Sequence, residues 1–375
     1  MYFQQLDRFT LARSTLNSWS KFRIRKDISR LGFVPISNFY YVTYSSKRNN
    51  INGKTIMWKQ ETIGQYKEKN TINISVKNRK SPLAEKFIFV GAIVAILVML
   101  LFIYYIFSEA MPVFSREGLG FITGTKWNYG TDQYGILYFI VGTLAVTLVT
   151  MIIACPLSIL TAIFLAEFAP PKVEGIMRPM VELLVGIPSV VYGIFGALII
   201  SQFFSSVIMP FIGSTLGFIP IFAKVNNDSQ SILLAASILA VMVLPTITVL
   251  SIETMRSVPR EYKEASIALG ATKWETIKKV VIPVSMSGII TAVLLGLMRA
   301  MGETMALVML TGNTLHMPSS ILDTTYAMTS KILNDITFYY AIDNPRSALM
   351  GIALVLFIIE FSILLLSKAI GARLR

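Results

Sequence analysis

Residues 257–283 read SVPREYKEASIALGATKWETIKKVVIP, a polar two-part segment set between apolar runs at 231–252 and 288–310. Its first half has the marks of a short helix. Pro259 suits a first helical position, and Glu261 and Glu264 favour the positive end of the helix dipole. Tyr262, Ala265 and Leu269 share one face by helical spacing. Gly270 can then take the left-handed conformation that ends a helix, and a second one starts at once. Thr272 and Glu275 have the spacing of a capping box, and Trp274, Ile277 and Val281 form an apolar stripe. The result is a helix–glycine–helix elbow, too polar to cross a bilayer and too apolar to hang free in water. Two placements satisfy it: a groove on a partner protein, or an amphipathic hairpin lying on lipid.

Outward from the elbow the chain is apolar. Of its 375 residues, 54% are hydrophobic and 15% charged, whereas soluble domains carry about 25% charged residues. The bilayer is the solvent such a chain requires. A membrane helix needs about 20 mainly apolar residues. Runs at 87–108, 136–168, 180–208, 231–252, 288–310 and 348–369 meet that length, which gives six spans, with Pro156 marking a kink or break in the second. The fold class is therefore an all-α membrane protein with six transmembrane helices.

Charge fixes the expected orientation. The formal net charge is +13, of which residues 1–80 hold +12 and residues 81–375 only +1. Lys77, Arg79, Lys80 and Lys86 precede the first span, and Lys368, Arg373 and Arg375 follow the last. The elbow itself carries Arg260, Lys263, Lys273, Lys278 and Lys279. By the positive-inside rule both termini and the 253–283 loop are cytoplasmic. Residues 1–80 show no sustained apolar periodicity and read as a basic, weakly structured tail. It fits either a transit peptide or an extension ahead of a start at Met57, and it is given no functional role. A basic tail can bind nucleic acid or anionic lipid, but a cytoplasmic tail held by its charge explains it without nucleic acid.

Several chemistries find no residues to carry them. One cysteine, Cys155, excludes a disulfide framework and a cysteine metal cluster. A lone histidine, His316, cannot supply the three or four ligands of a zinc site. No Gly-x-x-x-x-Gly-Lys-Ser/Thr loop is present; the nearest lookalike, Gly120 to Lys126, has the wrong spacing. No nucleophile–base set occurs, so no catalytic residues, metal ligands or bound cofactor are expected. ATP and magnesium would belong to a partner.

The elbow resembles the EAA loop of ABC importer permeases: Glu-Ala-Ala, three residues, Gly, nine residues, Ile-x-Leu-Pro. The matching positions are Glu264, Ala265, Ser266, Gly270, Val280, Ile282 and Pro283, with spacing intact and small changes at Ser266, Val280 and Ile282. In that family the loop couples the permease to an ATP-binding subunit. Three further segments resemble the C-type permease of the phosphate-specific importers. They are GLGFITGTKWNYGTDQYGILYFIVGTL at 118–144, VELLVGIPSVVYGIFG at 181–196 and LMRAMGETMALVMLTGNT at 297–314. The A-type partner typically departs from the Met-Ala and Gly-Asn-Thr portions of the last. The likeness covers most of 115–320 and none of the first 80 residues.

This resemblance implies a MetI-like permease core preceded by one extra span, in a prokaryotic plasma (inner) membrane. It also implies a homologous A-type permease, two ATP-binding subunits and an extracytoplasmic phosphate-binding protein as partners.

The expected substrate path rests on Arg299, Glu303, Pro188 and Ser189. Arg299 falls near the middle of an apolar run, where a charge costs about 2.5–3.5 kcal/mol on insertion scales and marks a transport route. An arginine offers a tetrahedral oxyanion a planar fork of donors. Glu303, at i+4, would compete for the guanidinium so that the anion is released; a structural ion pair is the alternative. Pro188, after Gly186 and before Ser189, either frees backbone groups toward a cavity or merely kinks the helix. Glu182, near the cytoplasmic end of its span, reads as an ordinary interfacial carboxylate, and Glu360, deeper in the sixth span, has no assigned partner. Other readings are a permease for sulfate or molybdate, or a secondary transporter driven by an ion gradient. The latter commonly shows internal repeats, none of which is evident here.

Overall fold

The computed structural model describes residues 32–36, 39–43, 55–59, 82–223 and 229–373. The chain divides into two units, 1–87 and 88–375. The expectation of a weakly structured tail falls mostly outside the described residues of the first unit. What is described there is a three-stranded antiparallel meander, β1 (Gly32–Ile36), β2 (Phe39–Thr43) and β3 (Thr55–Lys59).

The second unit is helical. Among the described residues, six segments are long and apolar enough to cross a membrane: Lys86–Glu117, Leu137–Phe168, Ser189–Leu216, Ile232–Arg256, Lys273–Met301 and Asp343–Ala369. Its principal helices are α1 (Pro82–Glu117), α2 (Leu137–Ile163), α3 (Pro171–Val185), α4 (Ser189–Phe195, continued to Leu216 through π-helical turns), α5 (Ile232–Arg256), α6 (Arg260–Ala268), α7 (Lys273–Thr276), α8 (Ile282–Met301), α9 (Met305–Leu310), α10 (Met328–Tyr339) and α11 (Asp343–Arg373). A two-stranded hairpin, β4 (Trp127–Asn128) and β5 (Gln133–Tyr134), joins the first two spans.

Helix α5 is the axis of the bundle. Its most apolar window is 67% buried, against 0% for α1, so α5 lies inside and α1 lies at the rim. It packs most extensively on α2 and then on α8. On α8 the small residues Gly288, Ala292, Gly296 and Ala300 recur at every fourth position, and both glycines lie against α5. A Cβ on Gly296 would lie 2.6 Å from Ile247 Cγ1, and one on Gly288 2.2 Å from Thr254 Cγ2. Apolar burial does little to draw helices together in lipid, so this close backbone approach, with its dispersion contacts, holds the pair.

Three core clusters stack along the bundle. A central one includes Val146, Leu239, Val243, Ile247 and Ala292. One at the hairpin end gathers Phe121, Tyr134, Phe139, Tyr326 and Ile352, and one at the elbow end gathers Leu165, Met255, Ile277 and Val281.

Two expectations about the spans need correction and a third is narrowed. Pro156 lies inside α2, which runs on to Ile163, so of a kink or a break only the kink remains. The run at 180–208 is not one helix: α3 ends at Val185, Gly186 caps it, and α4 starts after Pro188. Pro188 disfavours helical backbone at Ile187, which forces the interruption. The run at 288–310 is also divided. Its helix begins earlier, continues from the elbow through a π-helical turn at Ile277–Val281, and stops at Met301. Gly302–Thr304 then breaks it before α9. There Thr304 Oγ1 donates to the Gly302 carbonyl at 3.2 Å, and the Ala306 amide donates to Glu303 Oε1 at 3.4 Å. Short polar side chains that satisfy nearby backbone groups compete with the helix ladder in this way.

Candidate functional site

The elbow takes the shape its residues dictate. Gly270 has φ +86°, and the capping box forms with both of its hydrogen bonds: the Glu275 amide donates to Thr272 Oγ1 at 3.2 Å and the Thr272 amide to Glu275 Oε2 at 3.0 Å. Such a cap is worth about 1 kcal/mol. Pro259 is the residue before the helix rather than its first, and α6 starts at Arg260. Within α6, Glu264 and Ala265 are exposed, and Pro283 sits in the first turn of α8.

One ion pair ties the elbow to the turn that follows α2, a second joins α5 to α3 beside it, and a hydroxyl pair links the elbow's two halves. Lys263 Nζ lies 2.5 Å from Glu167 Oε1, Arg256 pairs with Glu174, and Ser266 and Thr276 hydroxyls meet at 3.0 Å. Ile277 and Val281 are buried beneath the elbow, but Trp274 is 53% exposed. Tyr262, Ile267 and Leu269 are exposed as well, Leu269 to 90%. The apolar stripe is thus split, one part seating the elbow and the other presenting an apolar rim.

The second feature lies deeper. Glu174 faces Arg256 and Arg178 Nη2 is 3.6 Å from Glu253 Oε1, so α3 runs antiparallel to α5. Seven residues on, at about 1.5 Å per residue, its end at Val185 reaches the level of Thr246, near the middle of α5. On the other side of the break, Gly193 of α4 packs on α9: a Cβ there would be 2.8 Å from Met309 Sδ and 3.2 Å from Ala306 Cα. The two helix breaks, 186–188 and 302–304, therefore come to similar depth inside the bundle. Gly186, Ile187 and Pro188 are exposed and Ser189 is half-buried. Non-helical backbone at membrane depth persists only against protein or a water-filled cavity.

Arg299 lies at the level of these breaks. It is in the last turn of α8 rather than mid-helix, yet its Nη1 donates to Thr246 Oγ1 at 2.7 Å, which places it at mid-depth of α5. Glu303 does not share a helix face with Arg299 as expected, because α8 has ended at Met301. Among the described residues Arg299 makes no ion pair. Glu303 accepts from the Ala306 amide, and its carbonyl accepts from Thr329 Oγ1 at 2.7 Å. Glu360, half-buried on α11, brings Oε1 to the same break, 3.4 Å from where a Gly302 Cβ would be. Glu182 is ordinary by comparison, since Arg178 Nε donates to it at 2.8 Å. His316 Nε2 lies 3.0 Å from the buried Asp323 in the loop after α9.

Sequence reasoning did not find Thr246, Thr329 or the four-residue stripe on α8. The stripe was visible in the spacing of its small residues. The two threonines carry no local signal, because their roles come from long-range contacts.

Residues 156–375 match the family described as binding-protein-dependent transport system inner membrane component. The chain is 40% identical over 258 residues to the probable ABC transporter permease YqgH of Bacillus subtilis (strain 168), covering 68% of this chain and 77% of that one. It is 36% identical over 261 residues to the phosphate transport system permease PstC of Xylella fastidiosa (strain Temecula1), covering 69% and 80%. In fold it is similar to a chain of a bacterial alginate ABC transporter, solved with an alginate-pentasaccharide-bound periplasmic protein. The TM-score is 0.51 at 14% identity, over 79% of this chain and 98% of that one.

Proposed function

The chain belongs to the family of binding-protein-dependent transport system inner membrane components, and we propose that its cargo is inorganic phosphate. It is an ABC importer permease, a multi-pass inner-membrane protein whose relatives are transport proteins rather than enzymes. Its proposed partners are a homologous A-type permease, two ATP-binding subunits that hold ATP and magnesium, and an extracytoplasmic phosphate-binding protein. The positive charge of the elbow and of the segments flanking the first and last spans supports a cytoplasmic side for both termini.

One observation carries the substrate path. A guanidinium at mid-depth, held by a neutral hydroxyl, lies at the level of two helix breaks. With one donor used on Thr246, the rest of its fork can meet an oxyanion. Glu303 and Glu360 near the same break favour an anion that still carries a proton to donate. Phosphate does at neutral pH, while fully ionised sulfate would face the carboxylates with acceptors only. Discrimination by an unpaired like charge is a general device of specificity. Pro188 and Ser189 form the opposing wall, and the exposed backbone before them supports that placement.

Coupling follows from continuity. From Lys273 to Met301 the chain is one helical rod, with the elbow at one end and Arg299 in the last turn at the other. The exposed side chains of Tyr262, Ile267, Leu269 and Trp274 give an ATP-binding subunit an apolar rim to grip. Closure of that subunit on ATP would move the rod and change which side the breaks face, in an alternating-access cycle. Glu264, Ala265, Gly270 and Pro283 shape the grip.

The substrate assignment is tested in proteoliposomes holding the full transporter and its binding protein. Labelled phosphate uptake should persist in a large excess of sulfate or molybdate and vanish in excess unlabelled phosphate. Strong inhibition by sulfate or molybdate would move the assignment to that oxyanion.

A further inference from the structure

Helix α10 carries a lysine in an unusual setting. The Lys331 side chain is 5% exposed, and its ammonium lies 4.9 Å from the Trp127 ring centroid, 5.3 Å from Tyr129, 5.5 Å from Phe139 and 5.3 Å from Tyr326. Asp335, one turn further along α10, pairs with it at 2.5 Å and also accepts a hydrogen bond from the Tyr129 hydroxyl. Tyr129 in turn stacks on Tyr339, with centroids 3.8 Å apart. Burial pushes the lysine's pKa down while Asp335 holds it up, and burial with Asp335 raises that of Tyr129. Removing an ammonium from water is costly, and ring faces within about 6 Å together with one carboxylate offset that cost.

The cage joins elements far apart in the chain. Trp127 and Tyr129 belong to the segment of the β4–β5 hairpin, Phe139 to the start of α2, and Tyr326 to the approach to α10. The start of α10 is held from the other side. The Met328 amide donates to Thr143 Oγ1 at 2.9 Å, and Thr329 Oγ1 donates to the Glu303 carbonyl at 2.7 Å, inside the break after α8. The caged side chain and the bond to the break are therefore two residues apart on one helix.

We propose that Lys331 is a positioning residue for the 302–304 break: its caged ammonium fixes α10 against the hairpin, and α10 holds the Glu303 carbonyl through Thr329. The consequence for transport rests on reading the break as part of the phosphate path; the mechanical link does not. Methionine in place of Lys331 would nearly fill the cage, so a residue that served packing alone would tolerate it. A residue that holds α10 in register through Asp335 and Tyr129 would not.

The test uses the full transporter in proteoliposomes with the variants Lys331→Met, Lys331→Arg, Thr329→Val and Lys331→Met/Thr329→Val. Lys331→Met should lower the maximal phosphate uptake rate about tenfold, leave the half-saturating concentration of loaded binding protein unchanged, and speed amide hydrogen exchange at residues 303–306. Thr329→Val should do the same, the double variant should be no worse than either single one, and Lys331→Arg should restore both readouts. Unchanged exchange at 303–306 in assembled Lys331→Met, or additive effects in the double variant, would overturn the proposal. Faster exchange with unchanged uptake would leave the link standing and overturn the path assignment instead.

Discussion

Replacing Gly270 with valine is expected to reduce ATP-driven phosphate uptake by more than about tenfold, while Gly270→Asn retains most of it. Gly270 sits at φ +86°, and a Cβ there would meet nothing within 4 Å. The obstacle is thus conformational and not steric within this chain. A β-branched residue in that backbone region costs about 1–3 kcal/mol, whereas asparagine adopts it readily. The elbow can relieve the strain only by opening, because α6 ends at Ala268 and the capping box fixes the chain again at Thr272. Opening would misdirect Leu269 and Trp274, the exposed side chains beside the bend. Full burial of such a side chain contributes about 1.5–3 kcal/mol, so a displaced rim weakens the grip of the ATP-binding subunit. Co-purification of that subunit and the uptake rate should fall together in the valine variant.

Arg299→Gln is expected to lower uptake about 100-fold while the complex still assembles, since loss of a buried charged contact to an anion costs about 2–5 kcal/mol. Arg299 is half-buried and, among the described residues, makes one hydrogen bond, to the neutral Thr246 hydroxyl, so its replacement leaves no charge unpaired. Assembly should survive because no described carboxylate depends on the arginine as its ion-pair partner. Had Arg299 and Glu303 formed an ion pair, both neutral variants would unpair a buried charge and destabilise the bundle. With Glu303 Oε1 turned to the Ala306 amide, the two substitutions should differ. Glu303→Gln keeps an acceptor for that amide and should cost less than Arg299→Gln. Equal uptake and equal assembly in the arginine variant and the natural sequence would remove Arg299 from the path.

What the sequence made legible was whatever depends on near neighbours. Six apolar runs, the left-handed glycine at 270 and the Thr272–Glu275 cap are all encoded within a few residues, and each is present in the folded chain. Hydropathy failed where two short helices meet end to end. Residues 180–208 and 288–310 are mainly apolar, and an apolar count cannot see that Gly186–Pro188 and Gly302–Thr304 interrupt the backbone. The proline and glycine of the first break were visible, but its depth was not. Depth emerged only from pairs distant in sequence, such as Arg178 with Glu253 and Arg299 with Thr246. The same holds for the Lys331 cage, assembled from residues spread between 127 and 335.

The most direct measurement is labelled phosphate accumulation in proteoliposomes bearing this chain with its partner subunits and loaded binding protein, with ATP or an imposed ion gradient supplied separately. Accumulation that requires ATP hydrolysis and ignores the gradient is the predicted result. Accumulation that follows the gradient and continues without ATP would contradict a permease driven through the 257–283 elbow.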